Sequence, residues 1–224
     1  MRSIDEIYAI ACERHGDDNM EEHVASSSPK SRKELAGISD DRWLSMATKC
    51  VFQAGFNWKV IESKWDGFEA AFESFDLGRW ILSSDDDIAE LASDKRIVRN
   101  PQKIRTVPEN ARFFGEISKE HGSVGDWIGT SPVTHRNELL ETLHKRGSRL
   151  GAMTGQYFLR FMGADCYILS RDVTAALVRE GVVDKQPTSK KAMMQVQDAF
   201  NVWMEESDFG LTQVSRILAR SIDG

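Results

Sequence analysis

The stretch Lys145–Asp172, KRGSRLGAMTGQYFLRFMGADCYILSRD, decides how the rest of the chain is read. It consists of a helix end, a glycine-bounded hairpin turn, a second helix and an aspartate. Gly147 and Gly151 bracket Ser148, Arg149 and Leu150, so the backbone is expected to turn sharply here and leave amide N–H groups pointing outward at the start of the second helix. Such amides, with Lys145, Arg146 and Arg149 around them, make an anion site whose natural ligand is a phosphate. Arg149, Gly147 and Gly151 are the contact candidates, and Thr154 can add a hydroxyl.

Outward from this hairpin the periodicity is helical throughout. Ser39 is placed to cap a helix in which Trp43, Ala47, Cys50, Val51 and Ala54 share one face and which stops at Gly55. A further helix is expected from Trp58, with Ile61, Trp65, Phe68, Phe72 and Phe75 as a buried aromatic stripe. Ser84 with Asp87 has capping-box spacing for a helix over Asp85–Ser93. Pro101 suits a first helical turn and opens a helix that ends at Gly122. Further helices are expected over His135–Arg146, Met153–Met162, Val173–Arg179, from Thr188 through Trp203, and over Leu211–Ile222. Only Cys166–Leu169 could be extended, and the fold class is all-α.

A chain of 224 residues with 41% apolar content can bury its own core. No run reaches the roughly 20 apolar residues of a membrane helix, and acids interrupt the N-terminal apolar segment, so a cytoplasmic protein without membrane contact is expected. Three scattered cysteines (Cys12, Cys50, Cys166) exclude a disulfide framework and a four-thiolate cluster. Cys12, His15 and His23 have the only metal-like spacing and lack a second ligand group, so neither metal nor cofactor is expected.

The net charge of −6 is uneven. Residues 1–41 hold ten acids and five bases, which leaves the remainder close to neutral at −1. Between Asp94 and Arg112, six bases (Lys95, Arg96, Arg99, Lys103, Arg105, Arg112) face two acids, giving the best electrostatic footprint besides the hairpin. Taken alone, such a run is more often a solvated face.

Two segments carry a resemblance. The hairpin is similar to the helix-hairpin-helix of DNA repair glycosylases. The segment FQAGFNWKVIESKWDGFEAAFESFDLGRW from Phe52, with IVRNPQKIRTVPENARFF through Phe114, resembles the 3-methyladenine DNA glycosylase I family in its QAG-x-x-W opening and IVRN-x-x-KI centre. The resemblance implies a two-lobed helical bundle, with residues 1–38 an acidic helix and connection and 39–224 the glycosylase-like domain. It further implies a monomer that binds double-stranded DNA containing damaged bases and hydrolyses the N-glycosidic bond of a flipped alkylated base such as 3-methyladenine.

The resemblance also assigns positions. Trp58 matches the tryptophan that stacks on the extruded base, and Cys50 and Tyr157 join it as base-pocket candidates. Phe56 falls where a side chain fills the gap in the duplex, beside Gln53 and Gly55. The family's base-reading glutamate falls at Cys50, whose thiol cannot replace a carboxylate acceptor. Asp172 lies about where the wider superfamily carries its catalytic aspartate, a fixed anion for the positive charge that develops on the sugar. Met153 stands where bifunctional relatives carry a Schiff-base lysine, so a monofunctional enzyme is expected. The alternative is a non-catalytic binder of damaged DNA.

Overall fold

The computed structural model describes residues 1–222. Among these residues every regular element is a helix, and no helix is long and apolar enough to cross a membrane. The chain divides into two compact units. One comprises Met1–Lys30, Ser131–Leu139 and the segment from Gly163 onward; the other comprises Ser31–Thr130 and Leu140–Met162.

In the first unit, the Leu211–Arg220 helix packs against Ile4–His15 and Arg171–Arg179. Ile4, Ile7 and Ala11 of the first helix and Val214, Ile217 and Leu218 of the last are buried. Ser3 and Glu6 form a capping box at the first helix. The acidic connection, expected to have little periodicity, contains a further helix, Asp17–Ala25, because Met20 and Val24 stand one turn apart and both are buried. The Cys166–Leu169 run is non-helical. Its N–H groups are met by side chains of the Leu211–Arg220 helix, Cys166 N donating to Thr212 Oγ1 at 3.2 Å and Ile168 N to Ser215 Oγ at 3.1 Å. Asp165 caps that same helix, accepting from Leu211 N and Thr212 N at 3.0 and 2.7 Å. This pinned segment delivers Ser170, which caps the Arg171–Arg179 helix by accepting from Val173 N at 3.2 Å. Ser189 rather than Thr188 caps the Lys190–Glu205 helix.

In the second unit, the Asp40–Gln53 helix is central and packs against Ala152–Met162 and Thr106–His121. Trp43 sets its edge on Phe158 at 5.7 Å, and Phe158 stacks on Phe114 at 5.9 Å. Ser39 takes the N-cap position without a side-chain hydrogen bond, whereas Ser84 and Asp87 form a complete capping box.

Three differences from the sequence periodicity have physical causes. The aromatic stripe is not one helix: it breaks into Trp58–Ser63, Trp65–Ala71 and a short turn at Glu73–Phe75, where three consecutive residues have positive φ (51°, 56°, 60°). This break brings Phe75 flat against Trp65 and Phe72 at 5.7 and 5.1 Å. Arg42 holds the turn through Glu69 and the Ser74 carbonyl. The expected Pro101 helix divides at Arg105 into Pro101–Ile104 and Thr106–His121. A helix at Val124–Thr130 was not foreshadowed, because its two glycines weaken a local reading. They serve close packing instead: a Cβ on Gly125 would lie 2.1 Å from the Leu35 carbonyl oxygen.

Candidate nucleic-acid interface

The Gly147–Gly151 turn of the second unit joins Arg136–Arg146 to Ala152–Met162. Positive φ falls on Arg149 (57°) and Ala152 (49°), not on the bracketing glycines. The glycines are required for space. A Cβ on Gly147 would meet the Leu143 carbonyl at 2.6 Å, and one on Gly151 would meet the His144 ring at 2.2 Å.

The turn is clamped from a distance. Asn110, fully buried on the Thr106–His121 helix, accepts from Ser148 N at 2.7 Å and donates to the Ser148 carbonyl at 3.1 Å. Glu109 accepts from the Ser148 hydroxyl, and Arg149 donates to Gln102 at 2.9 Å. With Ser148 N engaged, the amides of Arg149, Leu150, Gly151, Ala152 and Met153 have no partner among the described residues. These N–H groups open the Ala152–Met162 helix, where the macrodipole favours an anion.

The basic residues around the turn are less available than their number suggests. Lys145 pairs with Glu141 at 2.6 Å, and Arg146 pairs with Glu116 at 3.1 Å while lying over the Phe113 ring. Arg149 has no carboxylate partner among the described residues. In the 94–112 stretch, Arg96 is tied to Asp94, which it holds below the usual carboxylate range, and Arg99 is exposed. Lys103 is buried. Its ammonium donates to the carbonyls of Phe52 and Ala54 at 3.1 and 2.7 Å, closing the C-terminal end of the Asp40–Gln53 helix. Burial, and then the neighbouring Arg149 charge, lower its pKa.

At that corner Gly55 has φ +68°, and the chain leaves the helix with Phe56 exposed. Asn57 caps the next helix by accepting from Lys59 N at 3.0 Å. Trp58 opens that helix and is 38% exposed, apart from the buried stack of Phe68, Phe72 and Phe75. It meets Tyr157 edge-on at 5.3 Å and Phe161 at 5.9 Å, both on the Ala152–Met162 helix. The helix whose N-terminus presents the free amides therefore also carries the aromatic partners of Trp58, with Thr154 between them. Tyr157 lies five residues, about 8 Å of helix rise, beyond Ala152.

Phe161 was not singled out from the sequence. The available signal was its position one helical turn after Tyr157, and its 42% exposure marks it as part of an aromatic surface. Gln53 is buried, with its Oε1 unpartnered among the described residues. Cys50 is also buried, and burial pushes its thiol up to about 12, so it is a neutral, small group at pH 7. Asp172 belongs to the first unit. It is exposed in the first turn of Arg171–Arg179, with no hydrogen-bond partner among the described residues. No group of three or more potential metal ligands occurs among the described residues.

Comparisons with known proteins identify the relatives of this chain. The family model for methyladenine glycosylase matches residues 38–151, which include the Asp40–Gln53 helix, the Gly55 corner, Lys103, Asn110 and the hairpin turn. DNA-3-methyladenine glycosylase 1 of Escherichia coli (strain K12) is 26% identical over 89 residues, 40% of this chain and 47% of that protein. The match thus spans about half the length of that relative. Among solved structures, 3-methyladenine DNA glycosylase I (TAG) from Staphylococcus aureus is similar with a TM-score of 0.51 at 18% identity, over 69% of this chain and 91% of that one. A Methanocaldococcus jannaschii 8-oxoguanine glycosylase/lyase, solved in complex with a 15mer DNA containing 8-oxoguanine, is similar with a TM-score of 0.50 at 14% identity, over 96% of this chain and 94% of that one. At these identities the two structures speak for the fold alone. With the family model covering just over half of its length, the chain belongs to the methyladenine glycosylase family.

Proposed function

We propose that this protein is a monofunctional DNA glycosylase of the alkylation-repair type. One observation carries the reading: a single helix, Ala152–Met162, offers at its N-terminus amides unpaired among the described residues and, about one and a half and two and a half turns on, the Tyr157 and Phe161 rings that meet an exposed Trp58. Amides that grip a phosphate and a ring that receives a planar base, held on one rigid element, suit a protein that takes a nucleotide out of the stack. Phe56, exposed beyond the Gly55 corner, is the side chain to fill the gap left in the duplex.

In this reading Asp172 stabilises the positive charge that develops on the sugar as the C1′–N bond breaks, and orients the water whose oxygen bonds to C1′. The base leaves with the bonding electron pair, and the water passes a proton to the Asp172 carboxylate. An alkylated base carries a positive charge of its own and is a good leaving group, which suits a pocket with a neutral thiol at Cys50 instead of a carboxylate. With Met153 where a Schiff-base lysine would stand, the product is an intact abasic site.

A second reading, a non-catalytic binder of damaged DNA, draws on the buried and protonated Cys50. Release of 3-methyladenine from methylated duplex DNA separates the two. Asp172→Asn is expected to keep duplex affinity and lose base release; full turnover by that variant removes Asp172 from the mechanism, and a borohydride-trapped covalent adduct refutes the monofunctional assignment.

A further inference from the structure

Within the first unit, Arg216 and Arg220 stand one turn apart on the Leu211–Arg220 helix, and each meets an imidazole from an N-terminal helix. Arg216 Nε donates to His23 Nε2 at 3.1 Å. Arg220 Nη1 lies 3.4 Å from His15 Nδ1, and the other ring nitrogen of His15 lies 3.1 Å from the Arg220 carbonyl oxygen. Four basic groups thus meet with no carboxylate partner among the described residues. Two other arginines of this unit, Arg2 and Arg179, both pair with Glu180, at 2.8 and 2.7 Å.

Guanidiniums four residues apart on a helix repel one another, and partial burial strengthens the repulsion. It is visible at His23 and Arg216. His23 is pushed down to about 4, first by burial and then by Arg216, Arg220 and His15, and the Arg216 guanidinium is lowered by burial and by Arg220. His23, held neutral, accepts from Arg216 without supplying counter-charge, and His15 Nε2 donates to the Arg220 carbonyl oxygen. Each guanidinium has five N–H groups and uses no more than two of them on an imidazole, which leaves a double fork for an oxyanion.

We propose that Arg216, Arg220, His15 and His23 form a binding site for a phosphate group, whether of a nucleic-acid backbone or of free phosphate. A bound phosphate supplies a negative charge that no carboxylate among the described residues brings to these groups, and favours the protonated His23 imidazole. The full chain is to be followed by NMR of its histidine C–H signals between pH 4.5 and 8, with inorganic phosphate against chloride at equal ionic strength. His23, which in chloride shows only the upper tail of its titration at the acid end of this range, is expected to titrate within it in phosphate, with its pKa rising from about 4 to above about 5, a tenfold gain in proton affinity, and saturating with phosphate concentration. Arg220→Gln is expected to abolish the response. Identical His23 titrations in the two salts, or a phosphate response that survives in Arg220→Gln, overturns the site; if that variant does not fold, the wild-type titration decides alone. An undamaged duplex then identifies the source. Competition with phosphate assigns the site to the DNA backbone, and saturable phosphate binding without competition assigns it to free phosphate. The inorganic-phosphate arm stands whether or not the chain releases bases.

Discussion

Replacing Lys103 by methionine tests whether the basic stretch 94–112 is an interface or a piece of architecture. The ammonium makes two charge-assisted hydrogen bonds, to the Phe52 and Ala54 carbonyls at 3.1 and 2.7 Å. Each such bond is worth about 1.5–3 kcal/mol, and the cost of burying the ammonium, visible in its lowered pKa, offsets part of the total. Methionine fills most of the same volume, so a net loss of about 1–3 kcal/mol is expected from two now-unmet carbonyls. In a chain of this length that lowers the melting temperature by about 2–4 °C per kcal/mol. Urea unfolding measures the loss, and fluorescence anisotropy with a labelled duplex across a salt series measures the other half of the argument. A lysine that contacts phosphate contributes about −0.9 to the slope of log K against log salt, whereas one that closes a helix end contributes nothing. Lys103→Met is therefore expected to lose stability and keep its slope. A slope smaller in magnitude by about 0.9 with unchanged stability would mean that the side chain serves DNA, and the assignment to the helix end would be wrong.

Other perturbations follow from the same geometry. Asn110→Ala strips both hydrogen bonds from the Ser148 backbone and should cost about 2–3 kcal/mol in urea unfolding together with a weakened duplex affinity; an unchanged midpoint would show that the turn holds itself. Trp58→Ala, at a residue 38% exposed, should leave stability within about 1 kcal/mol while reducing affinity for a damaged duplex by roughly 5- to 100-fold, the value of one base–aromatic stack; equal affinity in variant and wild type removes Trp58 from base reception. Cys50, with its thiol held at about 12, should react with iodoacetamide at pH 8 at least about tenfold more slowly in the folded protein than in urea, read by mass spectrometry of the labelled peptide.

The features legible in the sequence were those set by neighbours in the chain. The Asp40–Gln53 helix announces itself by its apolar period, the Ser84–Asp87 box by its spacing, and the corner at Gly55 by the glycine that takes φ +68°. Contacts between residues far apart in sequence were not legible. Asn110 and Ser148 are 38 positions apart, and nothing near either one signals the clamp. Lys103 sits among solvated bases in the sequence and under two carbonyls in space, 49 and 51 positions away. The Trp65–Phe75 stack overrides the helical propensity of its own segment, and the close approach of Gly125 to Leu35 produces a helix where the local sequence argues for a loop. At the hairpin the two glycines were read as freedom to turn, and they are instead vacancies into which Leu143 and His144 intrude.

That exchange of roles at the hairpin governs when its cost is met. Arg149 and Ala152 occupy a left-handed conformation worth about 1–2 kcal/mol apiece against L-residues, and packing from Asn110 and the crowded glycines holds them there before any ligand arrives. The expense is therefore absorbed once, during maturation of the polypeptide, and not at every encounter. On the proposed reading of the hairpin as a phosphate site, an incoming oxyanion would meet a receptor that is already ordered, and little of its interaction energy would be diverted into arranging the amides that receive it.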